Sequence, residues 1–123
     1  MRRLIAALLL GSLLAVSVPA TAWEGPKIKG WVTKWSARWV ENGEYWRVKG
    51  WVKIKNKTDN LEAISCIVGT KTKTGRPVGS QRISKAIAGG QTKSGQFDIF
   101  GPYGSTKEAK KPTRVKVNKC WIY

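Results

Sequence analysis

Residues 29–55 read KGWVTKWSARWVENGEYWRVKGWVKIK, two runs of alternating apolar and polar side chains that meet at Asn42-Gly43. Alternation places successive side chains on opposite faces of a strand. Asn-Gly between two such runs is the strongest short-range signal for a hairpin closed by a two-residue type I′ turn. That loop length fixes the register: partner numbers sum to 85, so Glu41 faces Glu44, Trp39 faces Trp46 and Trp35 faces Gly50. One face then carries Trp31, Thr33, Trp35, Ala37, Trp39, Trp46, Val48, Gly50, Val52 and Ile54. The other carries Lys34, Ser36, Arg38, Arg47, Lys49, Lys53 and Lys55, interleaved with Val32, Val40, Tyr45 and Trp51. A slip of one residue would bury the charges and expose the tryptophans, so the pattern specifies the register strongly.

Upstream, residues 1–22 read as a secretory signal peptide. Arg2 and Arg3 form the positive n-region, residues 4–18 the apolar run, and Ala20-Thr21-Ala22 the small-residue cleavage site. The apolar run is short for a membrane span and no stop-transfer segment follows, so an integral membrane protein is not expected. Nothing beside the Arg pair supports a twin-arginine signal, and no Cys follows the cleavage site to take a lipid anchor. Removing 22 of the 123 residues leaves 101, residues 23–123, the size of one small domain. Without Arg2 and Arg3 the formal charge falls from +16 to +14. A charge of that size opposes compaction and favours association with anionic polymers, anionic lipids or acidic proteins.

The two cysteines, Cys66 and Cys120, belong to a chain expected to be exported, where oxidation is the default. Two cysteines allow one intramolecular connectivity, and closing that loop is expected to stabilise the fold by about 4 kcal/mol on chain-entropy grounds. Intermolecular pairing or a free reactive thiol is the alternative.

Past the hairpin, whose strands span about 28–40 and 45–55, the turn Asn56-Lys57-Thr58-Asp59-Asn60 leads to a strand over 61–72. Thr74-Gly75-Arg76-Pro77 precedes a shorter strand over 78–83, and Ala88-Gly89-Gly90-Gln91 precedes one over 95–100. Ser105-Thr106-Lys107-Glu108 resembles a capping box, opening at most one helical turn before Pro112. The last strand covers 114–123. Trp23-Glu24-Gly25-Pro26 reads as a short extended arm. Short strands at regular spacing, with Gly and Pro in the turns, predict an all-β antiparallel sandwich with a long N-terminal hairpin and one disulfide.

The last strand holds a conflict of parity. Val115 and Val117 point one way, Cys120 and Ile122 the other. A β-bulge near Asn118-Lys119 would bring all four inward beside Ile64, Cys66 and Val68; alternatively the bridge lies outside or at a sheet edge.

From Val48 onward the chain resembles the FxLYD-type domains, small immunoglobulin-like sandwiches of bacterial secreted and envelope proteins. The resemblance rests on the alternating run 48–56, the turn Thr58-Asp59-Asn60-Leu61 and the apolar stretch 63–68. It continues through Gly75-Arg76-Pro77-Val78-Gly79-Ser80 and Gly90-Gln91-Thr92 leading to Phe97. The family's aromatic-Asp signature is absent around Thr70-Lys71-Thr72. The resemblance implies an immunoglobulin-like fold and an adhesion or ligand-binding module rather than an enzyme.

Composition points the same way. The chain has no histidine, which removes His-based nucleophile activation and the commonest metal ligand. The cysteine spacing does not form a zinc site, and Asp59, Glu62, Asp98 and Glu108 show no calcium-loop spacing. Glu41 and Glu44 face each other on a solvated tip with no pocket to separate their pKa values. The expected catalytic residues, metal ligands and cofactors are therefore none. The expected ligand-binding set is the basic face, Lys34, Arg38, Arg47, Lys49, Trp51, Lys53 and Lys55, as against a merely solvated outer surface. The indole of Trp51 would stack on a sugar or base, or else be covered by a loop or strand terminus. Asn56-Lys57-Thr58 matches the N-glycosylation pattern but reads equally as a turn.

The leading expectation is a secreted, extracellular or periplasmic monomer that binds an anionic partner: a cell-wall polymer, a polysaccharide, a lipid surface or, without sequence specificity, nucleic acid. The rival is a Trp-rich cationic toxin or antimicrobial protein acting on membranes, which exposed Trp23, Trp51 and Trp121 would favour. An inhibitor or envelope component is the third class.

Overall fold

The computed structural model describes residues 21–101 and 107–123. The signal-peptide expectation thus falls almost wholly outside the described residues, as do the first two residues of the expected capping box. Seven strands form two antiparallel sheets: β1 (Ala22–Glu24), β2 (Ile28–Val40), β3 (Tyr45–Asn56), β4 (Glu62–Lys71), β5 (Pro77–Ile87), β6 (Thr92–Phe100) and β7 (Arg114–Ile122). Sheet A has the order β1-β2-β3-β6 and sheet B the order β5-β4-β7. Consecutive β3 and β4 lie in different sheets, as do their partners β6 and β7, so the β3–β6 and β4–β7 pairs interlock. β5 lies against β6, and β7 against β1 and β2.

The core follows from alternation on both inner faces. Val48, Val52, Ile54, Phe97 and Ile99 of sheet A meet Ile64, Cys66, Val68, Ile83, Val115 and Val117 of sheet B. Cys66 and Cys120 are cross-strand partners in β4 and β7, and they form the expected disulfide inside this core. Gly30 of β2 rests on that bridge. A Cβ there would stand 2.9 Å from the Cys120 sulfur, so any larger residue would push the sheets apart. Of the two arrangements open for the parity conflict in β7, the bulge is the one found. Ile67 pairs with Lys119 and Val68 with Val117, leaving Asn118 as the extra, exposed residue of a bulge.

The hairpin departs from expectation at both ends. At the tip, neither Asn42 nor Gly43 takes positive φ; Glu44 does, at 56°. Its amide donates to the Val40 carbonyl at 2.8 Å. The connection is therefore a four-residue turn, 41–44, and not a type I′ pair, although it closes the same Val40–Tyr45 register. Farther down, partners sum to 85 from Val40 to Lys34 and to 84 from Val32 to Ile28. Thr33 is the extra residue of a second bulge. Below it every β2 side chain changes face: Val32, expected outside, is buried in the core, and Trp31, expected inside, points outward. Trp46 is buried as expected, whereas Trp35 and Trp39 are half-buried.

β5 extends to Ile87 and β6 begins at Thr92, both longer than their alternation alone suggested. The extended arm becomes β1, with Trp23 packed on the core. The Thr21 carbonyl accepts the Val117 amide of sheet B at 3.0 Å. Asn56 is buried, and its amide donates to the Asn60 and Ile87 carbonyls at 2.7 Å each. Its oxygen accepts from Thr58. The glycosylation-like triplet is thus a structural turn whose acceptor nitrogen is engaged inside the protein.

Candidate functional site

The outer face of sheet A gathers all seven expected site residues. Along β3 they alternate as Arg47, Lys49, Trp51, Lys53 and Lys55; β2 contributes Arg38 opposite Arg47 and Lys34 opposite Trp51. The Thr33 bulge adds two residues that the continuous register had turned inward, Lys29 opposite Lys55 and Trp31 opposite Lys53. Arg38–Arg47 and Lys29–Lys55 are like-charge cross-strand pairs. Such pairs destabilise a sheet by tenths of a kcal/mol to about 1 kcal/mol each.

Relief comes from the third strand at one place only. Arg47 donates through Nε and Nη2 to both carboxylate oxygens of Asp98 on β6, at 2.9 and 2.7 Å. That fork holds the Asp98 carboxyl below its ordinary pKa, and raises that of Arg47. The Asp98 backbone is itself pinned, its amide donating to Gln81 Oε1 of sheet B at 2.6 Å. The other acid of this face, Glu24, is held below its ordinary pKa by the Lys57 ammonium 2.8 Å away. Among the described residues these are the only ion pairs. Lys49, opposite Asp98, and Lys55, near Glu24, act on those carboxylates without pairing with them, and Lys34 and Lys53 have no ion-pair partner.

Trp51 stands in the middle of this field. No strand terminus or loop covers it: it is 39% exposed. Its strand neighbours on the face are Lys49 and Lys53, and across the sheet it lies between Lys34 and Gln96. A trough of about 400 Å³ opens beside it, lined by Lys34, Trp35, Ser36, Lys49, Gly50 and Gln96. Thr33 of the bulge donates from Oγ1 to the Trp51 carbonyl at 3.3 Å. Gly50 shapes the floor of the trough. A Cβ there would collide with the Lys34 carbonyl, the Phe97 ring and the Trp35 Cβ.

Two other depressions are chemically different. A cleft of about 460 Å³ between the 72–76 turn and 108–113 sets Glu108 among Lys73, Arg76 and Lys111 and presents no aromatic ring. A wider hollow of about 710 Å³ at the base of sheet A contains Glu24 and Asp59 beside its lysines. Both supply acids of their own to their cations. Among the described residues no group of three or more His, Cys, Asp or Glu side chains converges as metal ligands would, and no helix is long and apolar enough to cross a membrane.

Sequence reading missed Lys29, Trp31 and Asp98. Lys29 carried a usable signal: its odd number puts it on the opposite parity from Lys34, Ser36 and Arg38. Four outward polar residues on one strand require a break between them, by the same logic that located the Asn118 bulge. The fold and these site residues together define a two-sheet, single-disulfide sandwich with one strongly cationic outer face. No family model, curated protein or solved structure matches the chain.

Proposed function

We propose that the protein is a secreted, monomeric, non-enzymatic binding module whose sheet A face recognises an anionic partner, in keeping with the resemblance to FxLYD-type adhesion or ligand-binding domains. The supporting observation is the density of positive charge. The face carries seven cations, two like-charge cross-strand pairs among them, and of the seven only Arg47 is held in an ion pair. A surface selected for stability would separate or pair these charges, and one serving solubility alone would not need them on a single flat sheet. Lysines on such a face act as point charges, so recognition is mainly electrostatic and tolerant of the anion's detailed structure. The membrane-toxin reading is the weaker one: of the three tryptophans that would favour it Trp51 is exposed, but Trp23 packs on the core and Trp121 is only partly exposed.

The test is the salt dependence of binding to a defined polyanion. For duplex DNA as probe, each neutralised phosphate contributes about −0.9 to the slope of log affinity against log salt. Changing Lys34, Lys49 and Lys53 together to Gln should flatten that slope by roughly two to three units with the fold intact. An unchanged slope, or no salt-dependent binding to heparin, DNA or anionic vesicles, would reject this reading.

A further inference from the structure

Partly exposed aromatic rings recur over this molecule, and most of them are already occupied by a cation. Lys29 lies over Trp31 at 5.4 Å, Arg47 over Phe100 at 5.3 Å, and Lys107 over Trp39 at 5.7 Å. Arg82 lies over both Trp121 and Tyr123, at 5.2 and 5.1 Å. Trp51 has lysines on three sides, yet among the described residues no cation lies over its ring. Its indole face is uncapped, and it borders the same trough as Lys34 and Lys49, neither of which is held in an ion pair.

We propose that this trough is a subsite for one acidic sugar residue, a pyranose bearing a carboxylate or a sulfate, within a longer anionic polysaccharide. The proposal rests on the anion-binding reading of sheet A and names its ligand class. The exposed indole supplies an apolar platform for the C–H face of a pyranose ring. Lys34 and Lys49 are placed to meet the acid group. Ser36 and Gln96 offer a hydroxyl and an amide, donors and acceptors suited to ring hydroxyls. The volume, about 400 Å³, lies within the range of small-ligand sites.

The same features argue against the competing polyanions. Single-stranded nucleic acid is tracked by successive stacking platforms, whereas Trp31 on this face is capped by Lys29, and Phe100 is met by Arg47 and, edge-on, by Tyr45. A membrane-binding aromatic would have to leave its sheet for the acyl boundary, whereas Trp51 lies in a trough and is less than half exposed.

Calorimetric titration of the oxidised protein separates these cases. The probes are a heparin-derived hexasaccharide, a galacturonate hexasaccharide, neutral maltohexaose and a thymidine hexanucleotide, each at two salt concentrations. At least one acidic hexasaccharide should bind well above maltohexaose. Trp51→Ala should weaken it by about ten-fold or more, the scale of a lost aromatic stack, with little change in the salt slope. Trp51→Phe should retain part of the affinity and Trp31→Ala nearly all of it, with thermal midpoints showing that each variant is folded.

A change under two-fold for Trp51→Ala, with Lys34→Gln/Lys49→Gln still weakening binding, would overturn the subsite and leave the anionic reading standing. Equal affinity for maltohexaose would overturn the role of the lysines. A thymidine hexanucleotide that bound more tightly and lost more on Trp51→Ala would make the subsite one for bases. Absence of salt-dependent binding to every polyanion would remove the broader reading and the subsite with it.

Discussion

On the outer face of sheet B, Arg82 spreads over Trp121 and Tyr123 while its Nε donates to Ser65 Oγ at 3.1 Å. Ser65 in turn shares a hydrogen bond with Ser84 at 2.8 Å. Hydrogen bonding to Ser84 and Ser65 holds the Tyr123 phenol below its ordinary pKa. Lys119 approaches Trp121 from 5.9 Å. The outer face of sheet A has the same ingredients, lysines, arginines and an exposed indole, but around Trp51 they do not satisfy one another. Cations and aromatics placed together close a surface when each finds its partner within the protein. They leave it open when they do not. Composition cannot make that distinction, because both faces set aromatic rings among positive charges.

Tryptophan truncation tests the comparison directly, and the inner face sets its upper bound. Trp46 is buried, stacks edge-on against Trp39 with centroids 5.6 Å apart, and donates its Nε1 proton to the Lys107 carbonyl at 2.8 Å. Trp46→Ala should lower the unfolding free energy by roughly 3–5 kcal/mol in denaturant titration. Trp121→Ala removes a half-buried ring and its contacts with Arg82 and Lys119, so a loss of about 1–2 kcal/mol is expected. Trp51→Ala should change stability by no more than about 0.5 kcal/mol. If Trp51 proved as costly to remove as Trp121, its ring would have a partner in the folded protein, and the contrast between the faces would fail.

Much of this arrangement was legible in the sequence. Alternation across 29–55 gave the hairpin, its two-faced character and the cationic set, because charged side chains tolerate only one face of a packed strand. The disulfide followed from cysteine count, and the Asn118 bulge from the opposed parities of Val117 and Cys120. The Thr33 bulge was harder to see. Trp31 and Val32 are both apolar, so either fits the core, and only Lys29 betrayed the change of parity. The tip turn misled for another reason: Asn-Gly is suited to positive φ, but the longer loop uses Glu44 instead and preserves the register. The openness of Trp51 was not legible at all. It depends on where long lysine and arginine side chains settle in three dimensions, and spacing along a strand does not determine that.

A comparably small effect concerns the one place where a cation of sheet A forms an ion pair within the sheet. Asp98→Asn breaks the fork with Arg47, a pair whose side chains are about a third exposed, so at neutral pH the loss should stay below about 1 kcal/mol. Arg47 holds the folded-state pKa of Asp98 below its unfolded value. The contribution of the pair is therefore fully present above the ordinary carboxylate range. It disappears as pH falls through the lowered folded value. The stability difference between wild type and Asp98→Asn should accordingly shrink in acid, and a difference that grew there would contradict the assigned pair. Binding should move the opposite way from stability. The substitution removes one negative charge from the face and frees the Arg47 guanidinium, so the slope of log affinity for duplex DNA against log salt should steepen by about one unit. If binding instead weakened in parallel with stability, Asp98 would be positioning Arg47 for the ligand, and the Arg47 end of sheet A would depend on internal partners just as the outer face of sheet B does.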